Sequence, residues 1–178
     1  MDDKYNDLQK VKRHFFAMRN GIIADTLRKA GSHFRIIFGL NLPQIVEIAS
    51  ATPHTASLAR ELWRNTSTRE SMLLAPMLFP HDEMTEAEAA AWIDGIPEPE
   101  VADVLCHRLL RHLVFAPVLM RRAAGGDTDI QRYTSLRLGL NILRQHPSEV
   151  LDVAAKFPEH PLAVQIRDEA EFLGLTKC

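Results

Sequence analysis

Three sets of polar side chains recur at helical spacing along this sequence and could do chemistry on an exposed surface. The sets are Asp103, His107 and Arg111; Tyr133, Arg137, Asn141 and Arg144; and Arg60 with Arg64. Because residues three or four apart lie on the same side of an α-helix, each set would form one stripe. Arginine and asparagine donate hydrogen bonds to phosphate and carboxylate oxygens, so these stripes suit a DNA backbone, a peptide or another acidic partner.

Each set also has a purely structural interpretation. Asp103 falls near the start of a predicted helix, where the helix dipole favours a carboxylate. The arginines could instead form a solvated face that pairs with nearby acids. Trp63 ends an apolar helix and is expected in the core, whereas Trp92 follows an alanine-rich run and is expected to be partly exposed.

The charges are unevenly distributed, although the net charge of the 178 residues is only −2. Residues 71–104 contain eight acids and no Lys or Arg, whereas residues 105–146 contain seven Arg and two acids. The small net charge argues against a protein that coats nucleic acid by bulk charge. The distribution predicts a polarised molecule, with Asp103 at the boundary between the acidic and the arginine-rich segment.

Helices must position these side chains, because apolar residues recur at helical spacing along almost the whole chain. Proline and glycine mark short links between the helices, and we find no alternating segment typical of a β-strand. Repeats could start near residues 43, 68, 98 and 129. Residues 67–70 and 85–88 have the form of capping boxes, and the helix that starts near Glu98 is expected to break before Pro117.

Familiar catalytic and cofactor motifs are missing from the sequence. It contains no P-loop, no Gly-rich dinucleotide motif, no HExxH and no CxxC, and its eight His are dispersed. We therefore expect no metal and no organic cofactor. The charged N-terminus lacks the apolar core of a signal peptide, and no apolar run approaches the ~18 residues of a membrane span, so we expect a cytoplasmic protein without a membrane partner.

Four segments together resemble the AlkD-like DNA alkylation repair family. They read LPQIVEIA, LARELWRNTSTRESMLLAPML, EVADVLCHRLLRH and RYTSLRLGLNIL, and the resemblance covers about residues 35–145. The second segment is the most specific, because it joins two helices at a fixed spacing. The resemblance implies a single domain over residues 1–178, an all-α, right-handed α-solenoid of HEAT-like antiparallel helix pairs with about nine or ten helices.

The resemblance also implies a function, that of a DNA glycosylase that excises cationic N-alkylated purines, 3-methyladenine or 7-methylguanine, from double-stranded DNA. Asp103 matches the catalytic carboxylate of the family, and Arg137 matches its DNA-contacting arginine, while Pro99 stands where the family has an aromatic residue. The candidate DNA-binding residues are Arg137, Arg144, Arg64, Arg60, Arg111, Arg108, Asn141, Tyr133 and Trp92. A fixed carboxylate would stabilise the positive charge that develops on the sugar.

A second hypothesis is a non-catalytic HEAT-repeat module that binds DNA or a protein partner. It is motivated by Pro99, by the lack of a tryptophan after Trp92, and by a chain that is short for the family. Loss of alkylated bases from DNA would favour the enzyme. Salt-sensitive DNA binding without base release would favour the module.

Overall fold

A computed structural model describes residues 6–175 of the chain. Eleven α-helices lie in this range, one or two more than expected. They are α1 Asp7–Ala17, α2 Gly21–Lys29, α3 Leu42–Ser50, α4 Ala56–Arg64, α5 Arg69–Leu78, α6 Glu86–Asp94, α7 Pro99–Arg108, α8 Ala116–Ala124, α9 Asp129–Ile142, α10 Pro147–Ala154 and α11 Pro161–Phe172. Backbone pairing of the β type within residues 6–175 is limited to one bridge between Ile36 and Thr68. The prediction of an all-α fold is confirmed.

The helices group into two compact units, Met1–Glu83 and Met84–Cys178. In the first unit α4 packs on α5, and in the second unit α8 packs on α9, as expected of helix pairs. The single domain expected over residues 1–178 stays a prediction.

The four positions at which repeats were predicted to start coincide with the starts of helices. Helices α3, α5, α7 and α9 begin within one residue of positions 43, 68, 98 and 129. Asn41 and Thr128 cap α3 and α9 in reciprocal capping boxes, and Pro99 occupies the first turn of α7. Proline suits this place because a first-turn N–H has no partner within the helix. The predicted break before Pro117 is also confirmed, because a 3₁₀ turn at Leu110–His112 separates α7 from α8.

One predicted capping box is correct in part and the other is wrong. Thr85 caps α6 as expected, accepting a hydrogen bond from the Glu88 N–H at 3.2 Å. At residues 67–70, however, the helix begins at Arg69, its N-cap is Thr68, and no side chain caps it. Glu70 therefore lies too early in the helix for a capping box, and its carboxylate contacts a different part of the chain.

The Glu70 carboxylate joins α5 to the segment that precedes α3. It accepts hydrogen bonds from the backbone N–H groups of Phe38, at 3.0 Å, and Gly39, at 2.9 Å. Arg69 donates from Nη1 to the same carboxylate at 2.8 Å and to the Leu40 carbonyl at 3.0 Å. Both charged side chains are buried, Glu70 completely. These two side chains provide hydrogen-bond partners for backbone groups of residues 38–40 that would otherwise be buried without one.

Helix α9 is the centre of the second unit, packed against α7, α8, α10 and α11. Gly139 permits this close packing, because a Cβ there would lie 3.2 Å from both Met120 Sδ and Val150 Cγ1. Because the side of α9 that carries Gly139 packs against α8 and α10, the stripe that begins at Tyr133 faces α7. The packing of α9 thereby positions the candidate site.

Candidate functional site

The first two polar stripes meet where α7 lies against α9. The Asp103 Oδ1 atom is 2.7 Å from the Tyr133 hydroxyl and 2.7 Å from Arg137 Nε. Arg137 Nη2 is in turn 3.1 Å from the Tyr133 hydroxyl. We call these three residues the Asp103 cluster. They come from positions 30 and 34 residues apart in sequence, so only the packing of the two helices unites them.

The direction of each hydrogen bond in the Asp103 cluster follows from its donors and acceptors. A guanidinium has only donors and an ionised carboxylate only acceptors, so Tyr133 accepts from Arg137 and donates to Asp103. Within residues 6–175 the buried Nε of Arg137 makes no hydrogen bond, so its 2.7 Å approach to Asp103 is an ion pair. The side chain of Asp103 is 41% exposed and that of Arg137 is 27% exposed, so both are open to a ligand.

The cluster also shifts the titration of two of its members. Burial raises the pKa of Tyr133, and the hydrogen bond to Asp103 adds to this effect, against the opposing contribution of Arg137. Burial acts to lower the pKa of Arg137, but the hydrogen bond to Tyr133 and the charge of Asp103 outweigh it, and the pKa is raised. At neutral pH the cluster therefore holds a neutral phenol between a cation and a carboxylate.

The helix-dipole interpretation of Asp103 is wrong. Helix α7 begins at Pro99, so Asp103 lies in its second turn, and the acid in the first turn is Glu100. The helix dipole acts mainly on the first turn. The contacts of Asp103 with Tyr133 and Arg137 account for its position better than the dipole does.

A second group of polar contacts continues along the same side of α7 and α9. His107 Nδ1 is 3.3 Å from Asn141 Oδ1 and 3.3 Å from Arg111 Nη1. Asn141 donates from Nδ2 to the Arg137 carbonyl at 2.9 Å, which leaves its Oδ1 facing the histidine. Arg111 was expected on the same long helix as Asp103, but it lies in the 3₁₀ turn after α7. Its long side chain still reaches His107.

Several other predicted arginines lie elsewhere. Arg144 follows the end of α9, is 71% exposed, and lies 3.9 Å from Glu169. Arg108 is half-buried at the end of α7. Arg60 and Arg64 belong to the first unit, where Arg60 lies 5.1 Å from the centre of the Phe79 ring and Arg64 is exposed. The Asp103 cluster itself contains one of the predicted DNA-binding arginines, Arg137.

The two tryptophans are both in the core. Trp63 is 8% exposed, as expected, but Trp92 is only 4% exposed, so the expectation that it would be partly exposed is wrong. The alanine-rich helix α6 packs against α8 and α9, and small side chains on that helix let it approach closely enough to cover the indole. In this structure the ring of Trp92 presents no surface for stacking.

Besides Arg137, which pairs with Asp103, a further arginine of the basic segment pairs with the acidic segment, as the structural interpretation expects. Arg122 donates to both carboxylate oxygens of Asp94, at 3.0 and 2.6 Å, and Gln131 donates to the same carboxylate at 2.9 Å. The hydrogen bonds from Arg122 lower the pKa of Asp94, although partial burial opposes them. This contact joins α6, α8 and α9.

His160 is a neighbour of the site that the sequence did not indicate. Its ring centre lies 6.4 Å from that of Tyr133, and its Nδ1 accepts the Leu162 N–H at the start of α11. No spacing rule could connect His160 with Tyr133, because Tyr133 lies on α9 and His160 precedes α11. Within residues 6–175 no group of three His, Cys, Asp or Glu side chains could hold a metal ion. Nor does any helix in this range combine the length and apolar character needed to cross a membrane.

Comparisons with known proteins agree with this fold. The sequence model of a family described as DNA alkylation repair enzyme matches residues 11–125. None of the curated proteins matches the chain. A solved structure described as "a new family of proteins related to the HEAT-like repeat DNA glycosylases with affinity for branched DNA structures" is 19% identical and superposes with a TM-score of 0.69 over 92% of this chain and 83% of that one. The predicted fold of HEAT-like helix pairs is confirmed.

Proposed function

The chain belongs to the DNA alkylation repair enzyme family, and on that premise we propose that it is a DNA glycosylase for cationic N-alkylated purines in double-stranded DNA. The substrates would be bases such as 3-methyladenine and 7-methylguanine. The observation that supports this proposal best is an exposed carboxylate, Asp103, held by Tyr133 and Arg137 on a surface rich in hydrogen-bond donors. The Asp103 cluster needs no metal and no organic cofactor for this chemistry, and we expect the protein to work in the cytoplasm.

The proposed reaction depends on a leaving group that is already activated. The N-glycosidic bond breaks with its electron pair going to the cationic purine, which leaves as a neutral base. Positive charge then develops on the sugar, and the Asp103 carboxylate stabilises that charge electrostatically. Water adds to the sugar carbon and loses its proton to solvent.

Arg137 has a separate role in this proposal, as a contact to a DNA phosphate. Without DNA, its guanidinium neutralises the charge of Asp103. A carboxylate whose charge is neutralised stabilises a cationic sugar poorly. A phosphate that binds Arg137 would offset this effect, because the arginine would then have a second anion. DNA binding and activation of Asp103 are therefore coupled in the proposed mechanism.

The direct test is release of base from a duplex that contains a single 7-methylguanine, measured under single-turnover conditions. We expect Asp103→Asn to lower the rate by about 10²- to 10³-fold, the usual effect of losing one electrostatic contact to a transition state. Asp168→Asn, a matched loss of one exposed carboxylate on α11, should leave the rate unchanged. Equal rates for the wild type and Asp103→Asn would refute the proposed role of Asp103.

The alternative of a non-catalytic module that binds DNA or a protein is favoured by two specific observations. Pro99 stands where the family has an aromatic residue, and the nearest tryptophan in sequence, Trp92, is buried. The similar solved structure is itself described by its affinity for branched DNA. Under this alternative the protein would bind a four-way junction more tightly than a linear duplex, with an affinity that falls steeply with salt, and would release no base. Absence of DNA binding at low salt would point to a protein partner.

A further inference from the structure

The Tyr133 hydroxyl is shared by both charged members of the Asp103 cluster. It lies 2.7 Å from Asp103 Oδ1 and 3.1 Å from Arg137 Nη2. Its single proton is directed at the carboxylate, because the guanidinium can only donate. The hydroxyl therefore holds one oxygen of Asp103 through a proton that the arginine cannot accept.

The Tyr133 ring is itself held in place. The ring centre of His160, the residue that precedes α11, lies 6.4 Å from that of Tyr133. The next two residues of α9, Thr134 and Ser135, are fully buried, and Ser135 donates to the Met120 carbonyl at 2.8 Å. This part of α9 is thus anchored, and a tyrosine has few side-chain torsions to restrict.

Arg137 and Tyr133 would behave differently when DNA binds. A phosphate would compete for Arg137, because both carboxylate and phosphate suit a guanidinium. The neutral phenol donates a hydrogen bond without cancelling the charge of the carboxylate. When the arginine binds the phosphate, the hydrogen bond from the tyrosine still orients the Asp103 carboxylate toward the sugar.

We infer that Tyr133 is the positioning residue of the site, orienting Asp103 for the reaction while Arg137 binds the DNA backbone. This inference rests on the proposed glycosylase function. It assigns Tyr133 a role different from the direct DNA contact predicted from its place in the stripe.

The test compares Tyr133→Phe, which keeps the ring and removes only the hydroxyl, with Tyr5→Phe, the same change at the other tyrosine of the chain, which lies outside the described residues. The substrate is the duplex with one 7-methylguanine, under single-turnover conditions. We expect Tyr133→Phe to lower the rate by about 10- to 100-fold, the range observed when a side chain that orients a metal ligand is lost. Duplex affinity should stay unchanged, and Tyr5→Phe should match the wild type.

A second measurement keeps the tyrosine and distinguishes positioning from packing. In a Tyr5→Phe background, absorbance of the tyrosinate ion reports Tyr133 alone. If the hydroxyl is bound to the carboxylate, adding Asp103→Asn lowers the pKa of Tyr133. A tyrosine that only fills space would titrate alike in both proteins. This titration applies even if Tyr133→Phe fails to fold.

The outcomes separate this inference from the proposed function. An active wild type with an equally active Tyr133→Phe, or a Tyr133 titration indifferent to Asp103, overturns the inference alone. A wild type that releases no base overturns the proposed function, and the positioning role falls with it.

Discussion

Replacing Glu70 with alanine should destabilise the first unit more than any exposed substitution. Glu70 is completely buried, and Arg69 is only 3% exposed. The substitution leaves the N–H groups of Phe38 and Gly39 without their acceptor and the arginine without its carboxylate. Breaking a buried ion pair by removing one partner costs about 3–5 kcal/mol.

The size of the effect also follows from the individual contacts. Each hydrogen bond to a charged group contributes about 1.5–3 kcal/mol, and Glu70 accepts several that are not independent of one another. We therefore take about 4 kcal/mol as the expected loss, within the range for a broken buried pair. At ~2–4 °C per kcal/mol for a chain of this size, the melting temperature should fall by about 8–16 °C.

The assay is thermal unfolding followed by circular dichroism, together with amide hydrogen exchange. Exchange should accelerate first around residues 38–40, whose N–H groups lose their acceptor. Glu70→Gln, which keeps one acceptor oxygen, should lie between alanine and the wild type. Glu47→Ala, at an exposed position of α3, is the matched control and should change little. A melting temperature for Glu70→Ala within about 2 °C of the wild type would refute the reasoning, because it corresponds to less than ~1 kcal/mol.

Three further predictions concern the second unit. Burial raises the pKa of the Cys106 thiol, so in a Cys178→Ser variant a thiol reagent should label Cys106 only after unfolding; rapid labelling of the native protein would contradict this. Because the pKa of Asp94 is lowered in the fold, its stabilising contribution is present above the unfolded value of about 3.9 and is lost as pH falls through the folded value. When the free energy of unfolding is measured in urea at a series of acidic pH values, it should therefore fall less steeply with decreasing pH in Asp94→Asn than in the wild type. The same pH dependence in both proteins would show that the Arg122 contact contributes nothing. Gly139→Val should lose about 2 kcal/mol in urea unfolding, since its side chain would enter space already filled by α8 and α10; an unchanged midpoint would contradict the close packing.

The arrangement of the candidate site was only partly readable from spacing. Asp103, Arg137 and Tyr133 could each be assigned to a stripe from the helical period, because residues three or four apart share a helix side. The helical period does not predict that the stripe on α7 faces the stripe on α9. Arg144, in the same stripe as Arg137, lies 3.9 Å from Glu169 after α9 has ended.

Burial was harder to predict than helix position. Their immediate neighbours in sequence predict a partly exposed place for Trp92 and a capping box for Glu70. Both are buried by parts of the chain distant in sequence, since α8 and α9 pack against the helix of Trp92 and the segment before α3 binds the Glu70 carboxylate. A local pattern contains no information about what packs on top of it.

The all-α fold and the starts of helices α3, α5, α7 and α9 are predictable from the sequence, because caps, prolines and apolar periodicity act within a few residues. The pairing of Asp103 with Tyr133 and Arg137, by contrast, depends on how the helices pack. That contact spans 30 residues or more and forms because α7 packs against α9. Local rules place a residue on a helix, but the packing of helices selects its partner.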